Sequence, residues 1–148
     1  RRQTHRSLRC VVGEGRGERI ECLPIKHKLW HVLVTPRFKM LTKDVFARFN
    51  LALTNKGDNV NILLPYLRRN LPSSIGPRLA NDLEGAILSL RPDFKQLKIK
   101  LLHAGACGVC FSGSGPSVFA LAQSKQHAEQ IKANFDKRYL QVFVVSTH

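Results

Sequence analysis

Residues 107–122 constrain the fold more than any other stretch. Two apolar, β-prone runs, CGVCF (107–111) and SVFALA (117–122), stand on either side of SGSGP. Short apolar runs bounded by Gly, Pro and Ser are strands joined by a turn. A plain hairpin needs only two turn residues. This connection is longer, its glycines free the backbone, and its hydroxyls can hydrogen bond. It is either an elaborate turn or a loop whose amides and hydroxyls face a ligand. Successive amides in such a loop can form an anion-binding nest, for which phosphate is the obvious guest. The spacing is not G-x-x-x-x-G-K-[ST], because no Lys follows the last glycine. Nor is it the G-x-S-x-G of a hydrolase, since the loop joins strand to strand and no acid–base partners are evident.

The rest of the chain sets this pair in an order. LRCVV (8–12) and ERIECL (18–23) flank GEGRG and predict two short strands around a turn. HVLVT (31–35) is a strand ended by Pro36. TKDVFARF begins a short helix with Thr42 as its N-cap. Residues 50–61 are polar and predict a loop, and a helix follows over about 60–69, disturbed by Pro65. LPSSIGP (71–77) is a breaker cluster. In NDLEGAILSL, Asn81 and Glu84 have the spacing of a capping box, which makes them capping residues and not catalysts. Leu83, Ile87 and Leu90 recur at helical spacing. Pro92 opens a further helix, with Phe94, Leu97 and Leu101 on one face and Gly105 as its C-cap glycine. Ser124 caps a helix lined by Ala128, Ile131 and Phe135, and Leu140–Ser146 is the last strand. From residue 31 the order is strand, helices, strand, strand, helix, strand. That is α+β of the ferredoxin-like kind, an antiparallel sheet with helices on one face. The pair at 8–23 lies outside this unit, which leaves a sheet edge in need of a neighbour upstream.

Charge and cysteine content bound the chemistry. Lys and Arg number 24 against 10 Asp and Glu, a net charge of +14. Such an excess suits anionic partners. However, the basic residues are scattered, apart from the cluster Arg1, Arg2, Arg6 and Arg9. An RNA-recognition module shares the predicted order, but it stacks bases on aromatics of its central strands. SVFALA has a single aromatic and no basic–glycine–aromatic lead, so nucleic acid is disfavoured. Cys107-Gly-Val-Cys110 has redox or half-zinc spacing. It leads into a strand, with no second pair of ligands at short spacing, so the thiols are expected to be free and buried, with no metal. The apolar runs are too short to span a membrane. No h-region follows the basic amino terminus, and the expected compartment is the cytoplasm or a plastid.

Four segments together carry a resemblance: GEGRGERIECLP (13–24), VLVTPRFKMLTKDVF (32–46), ANDLEGAILSLRP (80–92) and GACGVCFSGSGPSVFAL (105–121). In this order they resemble the carboxy-terminal half of the GHMP small-molecule kinases, and the last resembles that family's third motif. The first two favour the branch acting on the cytidine diphosphate ester of methylerythritol, CDP-methylerythritol, in the non-mevalonate isoprenoid route. The resemblance divides the chain into a basic tail at 1–10, open to being a frame artefact, a remnant of the amino-terminal kinase domain and connector at 11–30, and the carboxy-terminal domain at 31–148.

The resemblance implies transfer of the γ-phosphoryl group of ATP, with Mg²⁺, to a hydroxyl of CDP-methylerythritol. Gly113, Ser114, Gly115 and Ser117 would lie beside the phosphates. Phe46 would stack on the cytosine ring, and Thr42, one helical turn earlier, would add a hydroxyl contact. A core aromatic is the alternative reading of Phe46. Phe111 stands where the family usually has Met. A loop of the kind PxxxGLGGGSSDA is not found, nor are the Lys and Asp that act on the hydroxyl. Asp44, Asp58, Asp82, Asp93 and Asp136 match no catalytic position. The chain is therefore expected to be a fragment, a split product or a decayed copy, inactive by itself, binding no cofactor tightly, with a separate chain as a candidate source of the other half. A stand-alone basic binding module for RNA or an effector, and another GHMP member such as homoserine kinase, are the alternatives.

Overall fold

The computed structural model describes residues 10–23, 25, 27–50, 59–135 and 140–147. Strands β1 (Cys10–Glu14) and β2 (Arg19–Leu23) form a two-stranded antiparallel sheet of their own. The second sheet has the order β4-β5-β3-β6, built from β3 (Trp30–Pro36), β4 (Gly108–Phe111), β5 (Val118–Ala122) and β6 (Leu140–Ser146). Every pairing in it is antiparallel. Numbered from β3, that order is the expected ferredoxin-like arrangement.

Alternation along the strands sorts the two faces of the sheet. Val32 and Val34 of β3, Val118, Ala120 and Ala122 of β5, and Val142 of β6 enter one core. The helices α1 (Thr42–Ala47), α4 (Glu84–Leu90), α5 (Phe94–His103) and α6 (Lys125–Ala133) close it with Val45, Ile87, Phe94, Leu101, Ala128 and Ile131. Each large aliphatic buried this way is worth about 1.5–3 kcal/mol relative to exposure. The opposite face carries His31, Leu33, Phe119 and Phe143, of which Phe143 is exposed. Helix α2 (Asn59–Arg69) is the exception among the helices. Its Val60 and Leu63 share a cavity of about 420 Å³ with Cys110 and Phe119, which alternate away from the core.

Where a signal was local, the elements form as expected. Gly105 has φ +102, Ala106 N–H donates to Leu101 O, and Gly105 N–H donates to Leu102 O, so α5 ends in a Schellman motif. Ser124 Oγ accepts from His127 N–H at 3.1 Å, as an N-cap should. Four expectations need correction. Thr42 lies inside α1, whose N-cap is Leu41. Gly13 and Glu14 continue β1 instead of turning. The cluster 71–77 is largely helical, as α3 (Pro72–Ile75) and a 3₁₀ turn (Gly76–Arg78), because proline is tolerated in a first helical turn. The predicted loop ends sooner, since Asn59 already begins α2; residues 51–58 lie outside the described residues, as do 8, 9 and 136–139.

The 3₁₀ turn runs against the sheet. A Cβ on Gly76 would stand 1.9 Å from Cys107 O, and one on Gly108 would stand 2.2 Å from Gly76 O. Only a glycine–glycine crossing lets these two backbones approach so closely. Arg78 fastens the same turn to α3 by donating to Ser74 O at 2.6 Å and to α2 by donating to Tyr66 Oη at 3.1 Å.

Candidate functional site: the glycine loop and its supports

The loop at 112–117 joins β4 to β5 at the end of the sheet where β3 finishes. Gly115 N–H donates to Ser112 O at 3.0 Å, which closes a turn over Ser112–Gly115. Gly113 sits second in it with φ +57, a position that favours glycine. Ser112 N–H donates to Ser117 O at 2.9 Å, and the Gly115–Pro116 peptide is cis. These bonds use two of the loop's amides. Among the described residues, the amides of Gly113 and Ser114 have no backbone acceptor in the chain. Gly113 is exposed and Ser114 half-buried, so the loop is an open surface of donors.

Three side chains from distant elements hold it. Thr42, at the start of α1, places Oγ1 3.0 Å from Ser114 Oγ. Thr35, near the end of β3, places Oγ1 3.0 Å from Ser117 Oγ. Asn81 makes the most extensive contact. Its Nδ2 donates to Phe111 O at 3.0 Å and to Gly113 O at 2.8 Å, and its Oδ1 accepts from Leu83 N–H at 2.9 Å. Below the loop, Ile87 of α4 and Met40 would meet a Cβ on Gly115 at 3.7 and 3.5 Å.

This corrects the reading of Asn81 and Glu84 as a capping box. Leu83 is the N-cap of α4 and makes no side-chain cap bond. Asn81 spends its amide on the glycine loop, and Glu84 forms an ion pair with Lys98 of α5. Asn81 Oδ1 still makes a local cap-type bond to Leu83 N–H, but the partners of its Nδ2 and of Glu84 come from residues well separated in sequence.

Gly113, Ser114, Gly115 and Ser117 form the loop, and Thr42 bonds directly to Ser114. Phe46, one turn further along α1, is 54% exposed and meets Phe49 edge-on at 6.3 Å between centroids. It is thus no core aromatic; Val45 beside it fills that role. Asn81 and Thr35 are the functional candidates that the sequence reading missed. Thr35 could have been found, because strand alternation puts it opposite Ser117 once β3 and β5 are paired. Nothing in the sequence marks Asn81 as a loop support.

The other candidates lie elsewhere. Cys107 and Cys110 are free thiols. Burial pushes both up, and nearby Glu84 adds to this for Cys110, so neither is a poised nucleophile. Asp44 and Asp82 are exposed, and Asp93 is occupied by Arg91, whose guanidinium holds its carboxyl below the usual range. Asp58 and Asp136 lie outside the described residues. Among the described residues, no group of three or more His, Cys, Asp or Glu could hold a metal ion, and no helix is long and apolar enough to cross a membrane.

Known proteins are similar to this chain in sequence and in overall fold. A 4-diphosphocytidyl-2-C-methyl-D-erythritol kinase of Pelotomaculum thermopropionicum is 32% identical over 137 residues, covering 93% of this chain and 48% of that protein. Its namesake in Brevibacillus brevis is 33% identical over 141 residues, covering 92% and 48%. The chain spans about half the length of the curated relatives it matches. A crystal structure of 4-(cytidine 5'-diphospho)-2C-methyl-D-erythritol kinase superposes with a TM-score of 0.77 at 25% identity, over 93% of this chain and 49% of that one. Homoserine kinase from Cytophaga hutchinsonii superposes with a TM-score of 0.74 at 28% identity, over 93% and 47%. Residues 63–141, which hold Asn81 and the whole glycine loop, match the family described as GHMP kinases C terminal, and to that family this chain belongs.

Proposed function

We propose that this chain serves as the carboxy-terminal domain of a kinase that phosphorylates CDP-methylerythritol at the expense of ATP, in isoprenoid precursor synthesis. The observation that carries the reading is the bond between Thr42 and Ser114, which couples the exposed ring of Phe46 to the glycine loop. One rigid unit then presents a flat face for a base and open donors for phosphate. The names of the relatives support the same substrate. Loop 112–117 offers amides and hydroxyls and carries no carboxylate, so its chemistry suits the phosphates of ATP and not Mg²⁺. Phosphoryl transfer is mostly positioning and charge stabilisation. In this reading Gly113, Ser114, Gly115 and Ser117 line the phosphate side, and Phe46 and Thr42 hold the cytidine side. The groups that act on the hydroxyl come from another segment or another chain, such as one equivalent to the remaining half of the relatives.

Saturation-transfer NMR with CDP-methylerythritol tests this directly. The cytosine protons should receive magnetisation from the chain, and Phe46→Ala should weaken binding about 10- to 100-fold, the loss of one stacked base. Homoserine should give no transfer. If homoserine binds and CDP-methylerythritol does not, the assignment moves to a different member of the family. Salt-sensitive RNA retention without either ligand would replace it with a nucleic-acid module.

A further inference from the structure

A second concave surface lies away from the glycine loop. A groove of about 1030 Å³ opens in the helical layer, between α5, the end of α6 and the segment that leaves β3. It contains none of residues 112–117, nor Thr42, Phe46 or Asn81.

Its lining has two kinds of surface. Phe38, Phe94, Leu97 and Phe135 provide an apolar wall; Phe94 is fully buried and the other three are half-buried. Arg37, Lys100 and His103 stand exposed around it. Positions 96, 97, 100, 103 and 104 of the groove follow one helical face, so α5 offers a continuous strip instead of scattered contacts. Among the described residues, the one carboxylate in the lining, Asp93, is already committed. It accepts from Arg91 Nε at 2.9 Å and Nη2 at 2.6 Å, while the Arg91 guanidinium lies 3.7 Å above the Phe38 ring. That arrangement cancels the charge of Arg91 and fixes it as wall. Among the described residues, Arg37, Lys100 and His103 have no ion-pair partner.

A groove with an aromatic wall and unbalanced positive charge at its rim complements a molecule with a hydrocarbon chain and one anionic head. Ordinary ligand pockets combine a mostly apolar lining with a few polar groups that fix orientation, in volumes of about 300–1,000 Å³. The ten residues of α5 give the strip a length of about 15 Å, enough for a medium-length chain. We infer that this groove is a second ligand site, for a free amphiphilic anion such as an alkyl phosphate, separate from the glycine loop. Apolar contact with Phe38, Leu97 and Phe135 would hold the chain. Arg37 and Lys100 would hold the head through charge-assisted hydrogen bonds.

Calorimetric titration of the chain with octyl phosphate, below its micelle concentration, tests the inference. Binding should be saturable with one site per chain. Octanol and inorganic phosphate should each bind at least tenfold more weakly, because each has half of the required chemistry. The double variant R37E/K100E should lose at least tenfold in affinity for octyl phosphate while keeping the unliganded melting temperature, since both side chains are exposed. In the unaltered protein, raising the salt should weaken octyl phosphate and leave octanol unchanged. The inference fails if binding is unsaturable or if R37E/K100E binds as tightly as the original. It fails equally if inorganic phosphate matches octyl phosphate, or if the chain binds phosphatidic acid vesicles but not the monomeric ligand. A loss of CDP-methylerythritol binding would not bear on it, because the two sites share no residue.

Discussion

Among the described residues, two glycine-rich connections join antiparallel strands, and they are held in opposite ways. The turn between β1 and β2 is self-contained. Gly17 N–H donates to Glu14 O, Arg16 N–H donates to Glu18 Oε2, and Val11 and Ile20 on its strands lie exposed. The loop between β4 and β5 makes only part of its own bonds. Thr42, Thr35 and Asn81 supply the rest, from 72, 82 and 32 residues away. A turn that only reverses the chain can be specified by its own residues. A loop that must hold donors at fixed positions for a ligand needs fastening from outside.

Four experiments would break or sharpen this contrast. The largest effect belongs to Ile87→Ala, beneath the loop. Ile87 is fully buried, so truncation should cost about 2–5 kcal/mol in urea unfolding. Ile20→Ala in the hairpin, 67% exposed, should change stability by less than about 0.5 kcal/mol. Equal losses at the two sites would end the distinction. Next comes Asn81→Ala, which strands two carbonyls and one amide. It should cost about 1–3 kcal/mol and raise amide exchange at Ser112 and Gly115, whose N–H groups are bonded within the loop, while β1 and β2 stay unchanged. Thr42→Val removes a single exposed hydroxyl bond, worth about 0.5–1.5 kcal/mol at most. Its useful signal is weaker CDP-methylerythritol binding with the fold intact; unchanged binding would uncouple α1 from the loop.

The smallest effect is a slope with pH. His31, on the outer face of the loop-bearing sheet, packs edgewise on Phe119 at 5.6 Å. Burial pulls its pKa below the ordinary 6.5, with a backbone hydrogen bond near Leu29 opposing. The folded chain therefore resists the proton that the unfolded chain accepts. Stability should be full above about pH 6.5 and decline as the pH falls below that value. His31→Phe should remove its share of that decline, and a variant with the original slope would show that His31 does not titrate on unfolding.

What could be read in the sequence divides along the same line. Ser124 and Gly105 were legible because a cap is a bond within one turn. The strand order was legible because each run kept its alternation and its breakers. Thr42 reads as a cap because its nearest available partners in sequence are the amides of its own helix; the hydroxyl it meets is on Ser114. Asn81 and Glu84 fit a capping box in spacing, and Asn81 Oδ1 does accept from Leu83 N–H, yet its Nδ2 goes to Phe111 O and Gly113 O and Glu84 pairs with Lys98. The helical turns at 72–78 hid behind two prolines and a glycine that local rules treat as breakers. The glycine motif itself was recognisable, but the residues that hold it in place were not, because they are defined by contacts between distant segments.

The segment from Gly76 to Asn81 has a consequence for how molecules of this chain meet one another. It crowds the start of β4 through the Gly76–Gly108 crossing and caps the outward carbonyl of Phe111 with the Asn81 amide. The sheet is thereby sealed along one border, leaving β6 as the flank where a strand from another molecule could add. Among the described residues, a strand added to this four-stranded sheet would therefore meet less obstruction beside β6 than beside β4.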